Sequence, residues 1–398
     1  MSQEPGLEIR VIPRLANIPV ADWNRILPSD AGPFLQHSFL SLLEETNCVC
    51  TATGWEPAHL ALYGKNDELL GVMPLYLKTH SYGEYVFDWS WAEAYSQHGL
   101  AYYPKALSAI PFTPATGSRL LAQSDLHRQL LVQGLVQFLE KLQLSSAHVL
   151  FPRTEDACLL SELGFMRRDS VQFHWHNRDY SDFDQFLASL TMKRRKNIRR
   201  ERKQVCDAGI TFRHIPGSEM SEEDVLFFYR CYSSTYRAHH STPYLNQLFF
   251  QQWVKAMPDS LHFIVAIRNE QPIASALLVV DQANRKAYGR YWGCLEHHPC
   301  LHFETAFYQA IEYCIAQGIQ VLEGGAQGEH KMARGFMPST VSSYHYLSDQ
   351  RFADAVERFL ERERMGIGQY LDELAEHNPL RQEKIVLGLG ENTQNALK

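Results

Sequence analysis

The sequence lacks the short motifs that identify the commonest enzyme classes. It contains no Gly-x-Gly-x-x-Gly, no Walker A loop, no His-Glu-x-x-His and no Gly-x-Ser-x-Gly. Their absence removes the usual support for dinucleotide redox chemistry, nucleotide hydrolysis, zinc proteolysis and hydrolase-fold ester cleavage. The function must therefore be inferred from residues that no general motif describes.

Long apolar runs and paired cysteines are also missing. No stretch of about 18 uncharged apolar residues is present to span a bilayer, and residues 1–6 lack the basic and apolar parts of a signal peptide. We therefore expect a cytoplasmic protein with no integral membrane segment. The eight cysteines include no Cys-x-x-Cys pair, which indicates reduced thiols and argues against a zinc site.

Positive charge is in the minority, with 38 Lys and Arg against 45 Asp and Glu and a net charge of -7. This balance argues against a protein that coats DNA or other nucleic acid non-specifically. The adjacent pairs His239-His240 and His297-His298 cannot converge on one ion from a helix or a strand, so we predict no metal site. The length of 398 residues and the 45% hydrophobic content predict a large core and two domains.

An internal repeat supports the two-domain prediction. Residues 59–77 predict a β-hairpin, and residues 262–280 match it after a shift of 203 positions without a gap. Further along, a helix and strand match with a shift of 172, which leaves a difference of 31 residues in the first copy. We predict a duplicated domain, divided into residues 1–180 and 181–398.

The extra residues of the first copy form an insert at about residues 88–119 that is rich in Trp, Tyr and Pro. A long irregular insert in a compact domain is usually functional, and so many aromatic residues argue against disorder. The alternative is a cap that packs on the sheet.

The chain is organised around residues 321–336, in which an apolar strand runs into several glycines and then into charged side chains. The glycines allow close backbone approach to a ligand, and the charged residues supply a base, a proton shuttle and two cations. In the first copy, leucines occupy three of the charged positions, and buried charges persist only when partnered or used. We predict an active-site floor in a cleft between the domains; a solvated helix start is the alternative. The charged residues are Glu329, His330, Lys331 and Arg334.

Two further helices are predicted from their charge and periodicity. Residues 192–203 contain eight basic residues and one acidic residue, which favours contact with phosphate, although an exposed connecting helix is the alternative. Residues 351–377 carry an apolar stripe at helical spacing and form a closing helix.

Seven segments of the chain together form a specific pattern: residues 91–95, 98–99, 102–105, 111–114, 117–119, 196–202 and 325–331. They resemble the Fem-type branch of the GNAT N-acyltransferase superfamily, and within it the Gram-negative FemAB-like predicted N-acyltransferases. The resemblance covers nearly the whole chain. It implies an α/β fold with α+β mixed sheets, arranged as two tandem GNAT-like acyltransferase domains. It also implies transfer of an acyl or aminoacyl group onto an amine.

The resemblance implies an N-acyltransferase or aminoacyltransferase with no tightly bound cofactor and with aminoacyl-tRNA or acyl-CoA as donor. The acceptor would be a small-molecule or peptide amine, for example a peptidoglycan or envelope precursor. Residues 295–302 do not form a recognisable pyrophosphate loop, so we lean towards aminoacyl-tRNA, which would make tRNA a partner. The rival hypothesis is a non-catalytic GNAT-like protein that binds RNA or an envelope precursor. The oligomeric state stays open.

The predicted site residues come from the motif at residues 321–336 and from the insert. Glu329 or His330 is predicted to be the general base. Cations would hold anionic parts of the substrates, and aromatic side chains would shape the acceptor pocket. The predicted substrate-binding residues are Trp91, Glu93, Tyr95, His98, Tyr102, Tyr103, Lys105, Arg119, Gln327, Lys331 and Arg334.

Overall fold

The computed structural model describes residues 6–326 and 328–381 of the protein. The described chain combines two β-sheets with helices that pack against them. The strands are β1 (Glu8–Ile12), β2 (Trp55–Pro57), β3 (His59–Tyr63), β4 (Leu69–Met73), β5 (Tyr76–Lys78), β6 (Lys105–Ser108), β7 (Leu121–Ala122), β8 (Ser146–Leu150), β9 (Met166–His176), β10 (Ile210–Pro216), β11 (Leu261–Arg268), β12 (Gln271–Asp281), β13 (Lys286–Cys294), β14 (Val321–Ala326) and β15 (Met337–Leu347).

The helices agree in position with the apolar periodicity of the sequence. They are α1 (Val20–Ile26), α2 (His37–Glu45), α3 (Trp89–Gln97), α4 (Asp125–Leu142), α5 (Thr154–Glu162), α6 (Phe183–Ser189), α7 (Met192–Asp207), α8 (Glu222–Ala238), α9 (Gln247–Ala256), α10 (Leu301–Phe303), α11 (Gln309–Ala316) and α12 (Gln350–Glu376). A π-helical turn, Glu304–Tyr308, joins α10 to α11. The predicted basic helix is α7, and the predicted closing helix is α12.

The strand order repeats between the two halves of the chain. The smaller sheet has the order β1-β3-β4-β7, and the larger sheet begins β10-β11-β12-β13 before it continues β14-β9-β15-β8-β6-β5-β2. The hairpin β3–β4 therefore has the same neighbours as the hairpin β11–β12, as the shift of 203 residues predicts. Pro74 interrupts the first half between β4 and β5, whereas β12 runs unbroken through the matching positions. Proline cannot donate a ladder hydrogen bond, which explains the break.

The extra residues of the first half are divided between two loops. Residues 79–104 join β5 to β6, where a four-residue turn (282–285) joins β12 to β13. A second loop, residues 109–120, separates β6 from β7, and the two short strands together replace the single strand β13. The predicted insert at residues 88–119 is therefore not one irregular segment. It contains α3 and the buried strand β6, whose four residues are too few to show a periodic pattern among the surrounding aromatic residues.

The last strand of each half pairs with strands of the other half. β9 pairs with β14 and β15, and β15 pairs with β9 and β8. In the antiparallel ladder between β9 and β15, Met166 is opposite His345 and His174 is opposite Met337. Each second-half residue in these pairs lies 171 positions after the first-half residue of the other pair. The contact therefore obeys an internal twofold relation, as an isologous dimer interface does.

The two halves also share a hydrophobic core. Phe39 on α2 packs against Phe249 and Trp253 on α9, with ring centroids 6.0 and 5.2 Å apart. Phe34 packs edge-on against Tyr288 of β13 at 5.0 Å. All eight cysteines are free thiols. Among the residues that the structure describes, no helix is both long enough and apolar enough to cross a membrane.

The exchanged strands generate a prediction about the proposed division at residue 180. Fragments 1–180 and 181–398, produced separately, should each fail to show a cooperative thermal transition, because β8 loses β15 and β14 loses β9. Mixing or co-expressing them should restore the transition and the near-UV circular dichroism of the intact chain. A cooperative melt of the monomeric 1–180 fragment alone would show that the first half folds without the exchange.

Candidate active site

Strand β14, which begins the predicted active-site stretch at residues 321–336, separates from its neighbour β13. β13 and β14 pair in parallel only between Lys286–Tyr288 and Val321–Glu323. β13 then continues to Cys294 without β14 beside it, while β14 continues along β9 with an irregularity between Glu323 and Ala326. The two strands therefore separate beyond these residues. We call this separation the β13/β14 site, and its polar residues are Gln172, His174, Arg290, Glu323 and Lys331.

Glu323 is the acidic group of this site. It is 6% exposed, and no donor within residues 6–326 and 328–381 forms a hydrogen bond to its carboxylate. Burial raises the pKa of Glu323 to about 7, and the nearby positive charges of Lys286 and Arg290 only partly oppose the effect. A carboxyl group with a pKa near neutrality can both accept and release a proton under physiological conditions.

Two cations belong to the β13/β14 site. Arg290 is half-buried on β13, and its Nη2 donates a hydrogen bond to the carbonyl oxygen of Phe112 at 2.6 Å. Lys331 is buried, and its Nζ donates to the carbonyl oxygens of Gly324 and Gly325 at 2.5 and 3.3 Å. Desolvation, with the charge of Arg290 as the second cause, lowers the pKa of Lys331 to about 8. The site thus combines a proton acceptor, Glu323, with two positive groups.

Gly324 lies in close packing at this point. A Cβ atom there would lie 3.0 Å from the carbonyl oxygen of Phe173 and 3.2 Å from the Lys331 side chain. Gly325 has a φ of +76°, a conformation that side chains rarely adopt. The two glycines therefore permit the irregularity that follows Glu323 on β14.

The first half of the chain supplies the back and the cover of the site. On β9, Gln172 Nε2 donates to the carbonyl oxygen of Pro114 at 2.8 Å, and Gln172 Oε1 lies 3.1 Å from His174 Nε2. Desolvation is the main cause that lowers the pKa of His174 to about 4, so this ring is neutral at physiological pH. Phe112 and Pro114 both belong to the loop 109–120. That loop therefore covers the β13/β14 site through hydrogen bonds to Arg290 and Gln172.

The equivalent separation in the first half, between β6 and β8, is filled by the chain itself. Arg119 is completely buried there, and its guanidinium donates to the carbonyl oxygens of Leu150, Ser118 and Ala115 at 2.8–3.0 Å. Gly117 bridges to Pro152 just beyond the end of β8. These contacts give Arg119, a predicted substrate ligand, a structural role in closing the gap.

The predicted catalytic residues lie on a 3₁₀ turn, Glu329–Arg334, that follows β14. Glu329 is exposed and accepts a hydrogen bond from the Tyr370 hydroxyl at 2.8 Å. His330 is exposed, with its ring centroid 5.9 Å from that of Phe303. Of the four charged residues on the turn, Lys331 is the one that contacts the backbone of the β13/β14 site. The assignment of Glu329 or His330 as the base stays a prediction.

Arg334 joins the 3₁₀ turn to the basic helix. Its Nη2 donates to both carboxylate oxygens of Glu201 on α7 at 3.0 Å, and its guanidinium lies over the Phe303 ring at 3.3 Å. Glu201 also accepts a hydrogen bond from the Tyr308 hydroxyl. The buried charge of Arg334 is therefore partnered, and the turn, α7 and the π-helical turn are held together.

The predicted acceptor residues of the insert form a separate cluster. Trp91 and Tyr95 are buried against β15 and α12, where Trp91 meets His345 at 4.9 Å and Tyr95 stacks on Phe352 at 4.0 Å. His345 lies eight residues beyond the start of β15, which is about 26 Å along the strand. The cluster therefore lies far from the β13/β14 site. Glu93 and His98 are exposed at its edge, and Tyr103 is half-buried.

Lys105 is the centre of a buried network next to this cluster. Its Nζ donates to Ser81 Oγ, Glu84 Oε2 and Asp88 Oδ2 at 2.7, 2.8 and 2.5 Å, and Tyr102 donates to the same Asp88 oxygen at 2.6 Å. Desolvation opposes the charge of Lys105, but the two carboxylates outweigh it and raise its pKa. Such complete pairing indicates a structural role.

The predicted substrate-binding residue Gln327 lies outside the described residues. Within the described residues, no group of three or more His, Cys, Asp or Glu side chains is placed to hold a metal ion.

Glu323 and Arg290 were not among the residues predicted from the sequence to form the site. Glu323 is the last side chain before Gly324 and Gly325, and a carboxylate at the end of an apolar strand directly before two glycines is the signal that could have found it. Arg290 lies inside a strand with no distinguishing neighbours. Only the separation of β13 from β14 brings it to Glu323.

The raised pKa of Glu323 generates a prediction about stability. A pKa raised above the unfolded value of 4.5 means that ionisation of Glu323 destabilises the fold, so this cost develops between pH 4.5 and about 7. The free energy of unfolding of Glu323→Gln, measured relative to that of the wild type, should therefore increase with pH. Between pH 4.5 and pH 8 this difference should grow by roughly 3 kcal/mol. Denaturant unfolding at both pH values measures the change. The exposed Glu357→Gln control should show no such trend, and a pH-independent difference for Glu323→Gln would contradict the assignment.

Comparison with known proteins identifies the fold and the family. The C-terminal domain of a putative lysylphosphatidylglycerol synthetase from Agrobacterium fabrum superposes with a TM-score of 0.51 at 9% identity, covering 86% of this chain and 95% of that one. A conserved protein of unknown function from Bacteroides thetaiotaomicron gives 0.50 at 10% identity, covering 85% and 99%. A tandem GNAT protein from the clavulanic acid biosynthesis pathway gives 0.46 at 11% identity, covering 86% and 99%. The predicted α/β fold with mixed sheets is confirmed.

The family assignment comes from the sequence. No curated protein matches the chain. The model of a family described as FemAB-like, peptidoglycan biosynthesis/recognition, matches residues 14–382. This match spans most of the 398 residues and confirms the resemblance found in the seven segments. The protein belongs to the FemAB-like family.

Proposed function

We propose that the protein transfers an acyl or aminoacyl group to an amine at the β13/β14 site, with Glu323 as the general base. The observation that carries this proposal is the buried Glu323 carboxyl, whose pKa of about 7 suits proton transfer at neutral pH. The family description supports an amine of a peptidoglycan or envelope precursor as the acceptor. The scheme uses no tightly bound cofactor.

The proposed reaction needs one proton acceptor and one group that stabilises negative charge. Glu323 takes a proton from the attacking amine while the nitrogen lone pair forms a bond to the acyl carbon. The carbonyl oxygen gains charge, which the ammonium of Lys331 and the edge of β13 that lacks a strand partner after Tyr288 would stabilise. The bond to the leaving oxygen or sulfur then breaks, and the leaving atom takes up the proton.

The surface of α7 supports aminoacyl-tRNA as the donor. Of its basic residues, Arg199, Lys203 and Arg202 form ion pairs with Asp184, Asp207 and the pair Glu304 and Glu312. Five others form no ion pair within the described chain. They are Lys193, Arg194, Arg195, Lys196 and Arg200. Because Glu201 joins α7 to the 3₁₀ turn, phosphates bound along α7 would lie near that turn.

The proposed base is tested by comparing two carboxylates. Glu323→Gln should lower kcat/KM for acyl transfer by about 10²–10⁴-fold, whereas Glu357→Gln, on the exposed face of α12, should not. The wild-type log kcat/KM should rise with pH up to about 7 and then level off, because the ionised form of Glu323 is the active one. Radiolabelled charged tRNA and acyl-CoA, each with a panel of amines, provide the assay.

A Glu329→Gln variant distinguishes the two possible positions of the base. If Glu329→Gln abolishes turnover and Glu323→Gln does not, the base lies on the 3₁₀ turn and the present proposal is wrong. If neither variant changes kcat/KM, proton transfer does not use either carboxylate.

The proposed donor is tested by the salt dependence of tRNA binding. Five phosphate contacts to single-stranded RNA should give a slope of log K against log salt of about −3.5. Replacing Arg194 and Arg195 by Gln should reduce the slope by about 1.4, since each lost contact contributes about 0.7. The control Lys203→Gln removes a cation that is already paired with Asp207 and should leave the slope unchanged. Binding of acyl-CoA with no binding of charged tRNA would overturn the donor assignment.

A further inference from the structure

A cavity of about 560 Å³ lies between helix α5 and the exchanged strand β15. It is lined by residues of these two elements, by Arg167 of β9, and by Thr116 and Pro152. None of the five polar residues of the β13/β14 site lines it. Its volume falls within the range of about 300–1,000 Å³ that is typical of small-ligand sites. We call it the α5/β15 groove.

The α5/β15 groove and Gln172 of the β13/β14 site lie on opposite faces of the sheet. Side chains alternate between the faces along a strand, so Thr340, Ser342 and Tyr344 share one face of β15. Gln172 on β9 is paired with Ser339, whose side chain belongs to the other face. The groove is therefore a second site, and an inference about it does not depend on the proposed function.

Hydroxyl groups dominate the lining of the groove. Six of its twelve lining residues carry a side-chain hydroxyl, namely Thr116, Thr154, Ser161, Thr340, Ser342 and Tyr344. Ser161 donates to the carbonyl oxygen of Ala157 at 3.1 Å, and Ser342 donates to Asp169 at 2.7 Å. The other four hydroxyls form no hydrogen bond within residues 6–326 and 328–381. The groove thus offers several polar groups that can both donate and accept.

Tyr344 is the most informative of these residues because it is buried. Its side chain belongs to a hydrophobic core that includes Leu160 of α5, and the residue is only 4% exposed. Its hydroxyl nevertheless has no hydrogen-bond partner in the described chain, and Tyr344 lines the groove. A buried polar group without a partner costs free energy. A molecule that enters the groove, water or a ligand, would complete the hydrogen bonding of this hydroxyl.

The charged groups of the groove argue against an anionic ligand. Arg167 is the one cation among the lining residues, and its Nε donates to Asp169 Oδ1 at 2.7 Å. Glu162 also lines the groove and forms no ion pair within the described chain. A phosphate or carboxylate would therefore meet a cation that is already neutralised and a second negative charge. A neutral ligand avoids this repulsion and can still bind to both groups through hydrogen bonds.

The backbone of β15 argues against an extended peptide. β15 pairs with β8 on one side and with β9 on the other, so that Ser343 lies opposite both Leu150 and Arg168. Along the groove, β15 is therefore an inner strand of the sheet. A peptide that binds by adding a strand needs a free sheet edge, which this part of β15 does not offer.

We propose that the α5/β15 groove binds a neutral sugar, as one or two rings of a glycan. Sugar hydroxyls donate and accept hydrogen bonds, as the unpartnered threonine and tyrosine hydroxyls of the groove do, so each set completes the other. Pro152, Ala157 and Val341 add apolar surface against which the C–H groups of a sugar ring can pack. Both halves of the chain contribute to this site, since α5 belongs to the first half and β15 to the second.

The proposed site is tested by removing one hydroxyl. Calorimetric titrations use N,N′-diacetylchitobiose and cellobiose as sugar probes, with inorganic phosphate and alanyl-alanine as probes of the other ligand classes. The wild type should bind at least one of the sugars. Tyr344→Phe keeps the ring and loses only the hydroxyl, so it should weaken sugar binding by about 3- to 10-fold, as expected for one hydrogen bond. Circular dichroism confirms that the variant is folded.

Tyr346→Phe is the matched control for this substitution. Tyr346 lies two residues further along the same face of β15, packs against Phe165 with ring centroids 5.4 Å apart, and does not line the groove. This variant should bind the sugars as the wild type does. Glu323→Gln should also bind them unchanged, even if it loses acyl transfer, so the two proposals fail independently.

Two cysteines report where the sugar binds. Cys158 is exposed and lines the groove, whereas Cys206 is exposed on α7 and does not line it. A saturating sugar should slow alkylation of Cys158 by iodoacetamide and leave that of Cys206 unchanged, as measured by mass spectrometry. The proposal is wrong if the wild type binds neither sugar, if phosphate or alanyl-alanine binds more tightly than the sugars, if Tyr344→Phe binds like the wild type, or if Cys158 is not protected.

Discussion

The antiparallel ladder between β9 and β15 holds the two halves of the chain in one sheet. Each strand completes the half to which it does not belong, and the pairing of Met166 with His345 mirrors that of His174 with Met337. Because β9 runs beside β14, first-half residues Gln172 and His174 lie behind Glu323. The site therefore depends on both halves, although the proposed base lies on a strand of the second half.

The two halves use the same strand separation in opposite ways. Between β6 and β8, the guanidinium of Arg119 is saturated by carbonyl oxygens, and the loop 109–120 closes the gap. Between β13 and β14, Arg290 Nε is buried without a partner in the described chain, and burial raises the pKa of Glu323. Burial of polar groups without partners is costly. The first half therefore fills this separation with its own chain, whereas the second half leaves a buried polar atom there without a partner in the described residues.

Charged side chains elsewhere in the molecule also differ in how completely they are paired. Lys105 donates to two carboxylates and a hydroxyl, and it stabilises the far end of the sheet under the aromatic cluster of the insert. On α7, Arg199, Arg202 and Lys203 form ion pairs, whereas the cations from 193 to 196 form none within the described chain. Residue type alone does not show whether a charged side chain is fully paired in the folded protein.

The sequence by itself determined the duplicated α/β architecture and the basic and closing helices. It also determined that residues 321–336 form a strand that runs into glycines and a charged turn. These features depend on local periodicity, on repeated patterns and on glycines at a strand end, all of which are present along the chain. The tertiary structure decided which charges became partnered and which did not. It paired Arg334 with Glu201, buried Arg119 among carbonyls, and brought Arg290 and Glu323 together from strands 33 positions apart in the chain. Hydrogen-bond partners and desolvation are set by strands that exchange between the halves, and no local pattern in the sequence records that exchange.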